Sequence, residues 1–75
     1  MNRSLSTIAR SIAADWKNVN YAAQPYLIAM MSLDTINDKY GYSDAKEIVI
    51  YFLANATSWR GPVARAIKAE LKAMI

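Results

Sequence analysis

The chain contains no cysteine and no histidine. Disulfides, thiolate nucleophiles, Cys/His zinc sites and imidazole acid–base catalysis are therefore excluded. Two glycines and two prolines are its only strong backbone punctuation. Long apolar runs are missing as well. The longest strictly apolar stretch, Ile48 to Ala54, has seven residues, against roughly 20 for a membrane-spanning helix. The N-terminal segment carries Arg3 and Arg10 with serines between them, and no apolar core of signal-peptide length. These absences lead us to expect a cytoplasmic protein, inside a bacterium or other host cell, with no membrane span, no metal and no cofactor. In that compartment the sequon Asn55-Ala56-Thr57 carries no sugar.

What is abundant is apolar side chain, at 55% of the residues. A chain of 75 residues buries only about 60% of the surface it exposes when unfolded. Without disulfides or metals, its stability must come from helix packing or from a partner subunit. The apolar surplus favours self-association or binding to another protein. The net charge is +3 and unevenly placed. Residues 1–19 carry +2, residues 20–59 carry −2, and residues 60–75 carry +3. The two ends would attract a polyanion.

Periodicity predicts a compact all-α bundle of about four helices, over residues 4–18, 23–40, 44–55 and 60–74, forming a single domain over residues 1–75. In the first, Leu5, Ile8, Ala9, Ile12, Trp16 and Val19 make one apolar stripe. Ser4 or Ser6 supplies its cap. Pro25 suits the first turn of the second helix, whose stripe is Tyr26, Ala29, Met30, Leu33, Ile36 and Tyr40. Gly41 would stop it. Asp44 and Glu47 resemble a capping box for the third helix. That helix is apolar nearly all round and is expected at the centre of the bundle. Asn55 would end it, and Thr57 or Ser58 would cap the fourth, with Pro62 in its first turn. The fourth helix has Val63, Ile67, Leu71 and Met74 as its core stripe.

Several residues are candidates for a site. Arg65, Lys68 and Lys72 fall on one helical face within about 60° of one another, with Arg60 nearby. They suit contact with phosphates, or simply form a solvated face. The helix after Pro62 has no Asn, Gln, Ser or Thr, so sequence-specific base reading is not expected of it. Arg3, Arg10 and Lys17 form a secondary basic flank. A helix-turn-helix pairing of the second and third helices is disfavoured, because Asp44 and Glu47 would face phosphates. Asp34 and Asp38, one helical turn apart, suit a cation or an acid pair less well than a solvated face, since their spacing is not that of a calcium loop. Glu70 falls at the edge of an apolar stripe, where an unpaired charge is costly. It needs an arginine from the first helix or from a second copy. Trp16 and Trp59 could stack single-stranded bases. Trp16 sits within its stripe and reads as core. Trp59 lies outside the regular pattern and, if exposed beside Arg60, marks a partner surface. Helices one and four, cationic and amphipathic, would also suit a membrane surface, but here they have an internal core to pack against.

The stretches "IARSIAADWKNV", "LDTINDKYGY" and "YFLANATSWRG" resemble short uncharacterised helical proteins encoded by bacteriophages and mobile elements. The resemblance covers nearly the whole chain. It implies a small helical protein of a phage or its host and carries no activity or catalytic residue with it. The expected function is that of a non-enzymatic interaction module, acting through self-association or through contact with a host or phage protein. The alternative is an accessory protein that binds nucleic acid weakly or without sequence preference through its basic terminal helices.

Overall fold

The computed structural model describes residues 3–75. Within them, four helices and one small hairpin follow the order α1 (Leu5–Asp15), α2 (Gln24–Met30), β1 (Lys39–Tyr40), β2 (Ser43–Asp44), α3 (Ala45–Ala54) and α4 (Pro62–Lys72). The molecule is mostly helical, but the expectation of a purely all-α chain is corrected by the hairpin.

Ser4 caps α1, its hydroxyl accepting a bond from Thr7 N–H at 3.1 Å. Two further first-turn donors are satisfied from a distance. Leu5 N–H donates to the Asp34 carbonyl at 2.9 Å, and Ser6 N–H to the Leu33 carbonyl at 2.8 Å. The start of α1 is thereby stitched to the segment that follows α2. Before α2, the Asn20 side chain accepts from Ala22 N–H, and the Asn20 carbonyl accepts from Ala23 and Gln24. Pro25 then occupies the first turn, where its missing N–H costs nothing.

The predicted second helix over residues 23–40 is cut short at Met30. Leu33 and Ile36 still turn toward the core, so the apolar spacing continues after the helix has ended. The physical reason is local competition from side-chain acceptors. The Asp38 carboxylate accepts Asp34 N–H at 2.9 Å, Thr35 N–H at 3.1 Å and the Thr35 hydroxyl at 3.2 Å. The Ser32 hydroxyl donates to the Ala29 carbonyl. These bonds replace the helical ladder with a turn.

Gly41 also has a different role from the predicted helix stop. β1 and β2 pair antiparallel, with Lys39 opposite Asp44 and Tyr40 opposite Ser43. The loop is therefore Gly41–Tyr42. Gly41 has φ 63° and Tyr42 does not have positive φ, the pattern of a II′ hairpin turn. Asp44 ends β2 and is also the N-cap of α3. Its N–H donates to Glu47 Oε1 at 3.4 Å in a capping box.

α1 packs on both α2 and α4, and α2 packs most extensively on α3. The expected central position of the third helix is thus shared instead by α1 and α2, each of which packs extensively on two helices. α3 keeps one face wet, with Ile50 and Tyr51 each about half exposed. Its inward face is Ala45, Ile48, Val49 and Phe52. All buried residues among those described are apolar.

Candidate functional site

The connection between α3 and α4 carries two of the predicted site residues, Trp59 and Arg60, and Lys68 of α4 bonds to it. Asn55 closes α3 by donating its side-chain amide to the Tyr51 carbonyl at 2.8 Å. Ala56 is fully buried. Gly61, at φ 114°, is the N-cap of α4, and no side chain caps that helix. Thr57 and Ser58 are exposed and do not perform the capping expected of them.

Trp59 is 2% exposed and therefore closed to a partner. Its ring stacks on Trp16, with centres 5.7 Å apart and planes 9° apart, and meets Phe52 edge-on at 6.4 Å. Trp16 and Phe52 also meet edge-on. The Trp59 indole N–H donates to Asp15 Oδ2 at 2.8 Å. Its carbonyl accepts the Lys68 ammonium at 2.6 Å, and that ammonium lies 5.8 Å from the ring centre. One residue thus joins α1, α3 and α4.

The predicted cationic face is only partly available. Lys68 is half-buried and tied to the Trp59 carbonyl. Burial lowers its pKa, and the nearby charges of Lys72 and Arg60 lower it further. Arg60, Arg65 and Lys72 are exposed. Among the described residues, none of these four cations forms an ion pair. They are a cluster of like charge with no counter-ion.

In the secondary basic flank, one of the three cations is already paired. Arg10 and Lys17 are exposed, but Arg3 is engaged by Glu70. Arg3 Nη2 donates to Glu70 Oε1 at 2.7 Å and Arg3 Nε to Glu70 Oε2 at 3.1 Å. Arg3 Nη1 reaches the Ser11 hydroxyl at 3.3 Å. The paired fork raises the Arg3 pKa and holds the Glu70 carboxyl below its ordinary value, in each case mainly through the hydrogen bond to the other. Glu70 therefore finds its arginine within the same chain. Asp34 and Asp38 do not form an acid pair. The Asp38 carboxyl lies below its ordinary value because the N–H groups of Thr35 and Asp34 donate to it.

Two features lay outside the sequence candidates. The first is the outer face of α3, where Ile50, Tyr51 and Ala54 are exposed. Tyr51 packs on Tyr26 of α2, with ring centres 5.6 Å apart. The Asn20 side chain reaches the Asn55 carbonyl at 3.3 Å, which sets the loop bearing Tyr21 beside the end of α3. Tyr21 itself is 89% exposed. The alternation that would reveal this face is hidden, because α3 is apolar on both sides. The second is an open pocket of about 370 Å³ lined by Arg3, Leu5, Asp34, Ile36, Asn37 and Met74. No local sequence signal brings these three segments together.

No helix among the described residues is long and apolar enough to cross a membrane. Comparison of the chain with protein-family models, curated proteins and solved structures finds no match in any of the three.

Proposed function

We propose that the protein is a small non-enzymatic interaction module, encoded by a bacteriophage or mobile element and acting in the cell interior through protein–protein contact or self-association. The observation that carries this reading is the outer face of α3. Ile50 and Tyr51 remain 42% and 49% exposed there, although α3 contributes Phe52 and Val49 to a fully apolar core. Large exposed apolar side chains grouped on one helix face, next to a second aromatic ring, are what a protein contact buries. Tyrosine supplies both an apolar ring and a polar tip, which suits the margin of such a contact.

Sedimentation over a range of concentrations tests self-association. The expected mass exceeds that of the 8.4 kDa chain and returns to it in Ile50→Glu. A mass that stays at the monomer value at every concentration overturns self-association. A photo-crosslinking side chain placed at position 51 in the producing cell tests contact with a different protein. One discrete adduct, absent when the same group stands at position 10, supports it. No adduct at position 51 overturns it.

A further inference from the structure

We propose that Arg60, Arg65 and Lys72, held in place by Lys68, form a surface that binds the phosphate backbone of double-stranded nucleic acid without reading its sequence. This uses α4 and the segment before it, and stands apart from the α3 face. Lys68 and Lys72 are spaced i, i+4 on α4, and Arg65 and Lys68 are spaced i, i+3, so the three share one edge of the helix. Lys68 bonds the carbonyl of Trp59, the residue before Arg60, at 2.6 Å, which brings the Arg60 backbone to the same edge. Like charges gathered this way repel one another, and no carboxylate among the described residues pairs with them. A multiply charged anion would relieve the repulsion.

The surroundings select the kind of anion. Single strands are held by aromatic rings on which bases stack. The aromatic ring beside these cations is Trp59, which is enclosed against Trp16 and Phe52. A lipid surface rewards bulky apolar side chains that enter it. Beside the cations α4 exposes Ala66, Ala69 and Ala73, and its exposed Val63 lies on the opposite flank, which leaves little to insert next to the charges. Base edges are read by Asn, Gln, Ser or Thr, and α4 has none of them. What remains is a compact positive edge suited to the dense charge of a duplex. Lys68 has a positioning role: its bond to the Trp59 carbonyl fixes α4 against the segment that carries Arg60. Arg60, Arg65 and Lys72 make the contacts.

The test is fluorescence anisotropy with a labelled duplex of mixed sequence at low salt. Counterion release from three phosphate contacts gives a slope of log K against log salt of about −3. Lys72→Ala should bring that slope closer to zero by about one. Arg65→Glu with Lys72→Glu should weaken binding by about tenfold or more. Both residues are exposed and form no side-chain hydrogen bond among the described residues, so circular dichroism should show that variant folded. Arg10→Glu with Lys46→Glu, an equal change of charge on other helices, should leave most of the binding. Absence of duplex binding at low salt overturns the proposal. So does binding that ignores salt, or binding that survives the Arg65 and Lys72 reversals. Tighter binding to the corresponding single strand, or to vesicles of anionic lipid, overturns the choice of duplex.

Discussion

Trp59 shows how much a single side chain can connect. It buries its ring between Trp16 and Phe52, donates to Asp15 from its indole, and offers its carbonyl to Lys68. Truncating a buried aromatic residue costs about 3–5 kcal/mol. A chain of this length has roughly 4–11 kcal/mol of stability in total. Trp59→Ala should therefore lose much of its cooperative unfolding transition in urea. Trp59→Phe keeps most of the packing and loses the bond to Asp15, whose carboxylate can turn to water. That variant should cost about 1 kcal/mol for the bond, with a further loss for the smaller ring, and should remain folded. If Trp59→Ala unfolds at the same urea concentration as the parent, the residue is not the fastener described above. The position of Trp59 outside any helical stripe was legible in the sequence. Its partner Asp15, 44 residues earlier, was not, because no local rule links a polar atom to a distant indole.

At the scale of elements, the hairpin depends on one backbone angle. Gly41 sits at φ 63°, and a side chain there would meet no neighbouring atom. The penalty of Gly41→Ala is thus conformational alone, about 1–2 kcal/mol, and should appear as a lower urea midpoint. An unchanged midpoint would show that the loop reaches another conformation at no cost. The helix starts at Ser4 and Asp44 were readable because a cap needs one short polar side chain at a defined offset. The early end of α2 was not readable from periodicity. Leu33 and Ile36 keep the spacing of a helix while Asp38 gathers the N–H groups of Asp34 and Thr35. The same limit hid the wet face of α3: a helix rich in apolar residues on every side gives no hint of which side the fold covers.

For the molecule as a whole, the polar design is concentrated in a few clasps around an apolar interior. The radius of gyration is 11.0 Å, close to the roughly 11 Å expected for a compact chain of this length. The described chain is thus as compact as its length allows, although Ile50, Tyr51 and other large apolar side chains stay exposed. Acid should loosen it in a defined direction. The carboxyls of Glu70 and Asp38 both lie below their ordinary values, so the folded state binds fewer protons than the unfolded chain. Their contribution is fully present above the ordinary carboxylate range, near about pH 4, and is lost as pH falls through the lower folded values. Urea midpoints measured from neutral to acidic pH should fall in that window. Glu70→Gln and Asp38→Asn should each flatten the fall. Identical acid profiles in both variants and the parent would refute the assignment. The Arg3–Glu70 pair is bidentate but partly exposed, which limits its worth to about 1 kcal/mol.

The stitching of α1 to the segment after α2 has a consequence for amide hydrogen exchange. The first four N–H groups of a helix ordinarily lack partners and exchange with solvent easily. In α1 three of them are engaged: Leu5 and Ser6 by the carbonyls of Asp34 and Leu33, and Thr7 by the Ser4 hydroxyl. The end of α1 cannot fray alone, because releasing Leu5 and Ser6 requires the 33–34 segment to detach. Their amides should exchange together, at a rate set by a shared opening. Val63 and Ala64, in the first turn of α4 with no side-chain cap, should exchange much faster. The two helix starts would then part in their exchange, one tied to a distant segment and the other held by no side-chain cap.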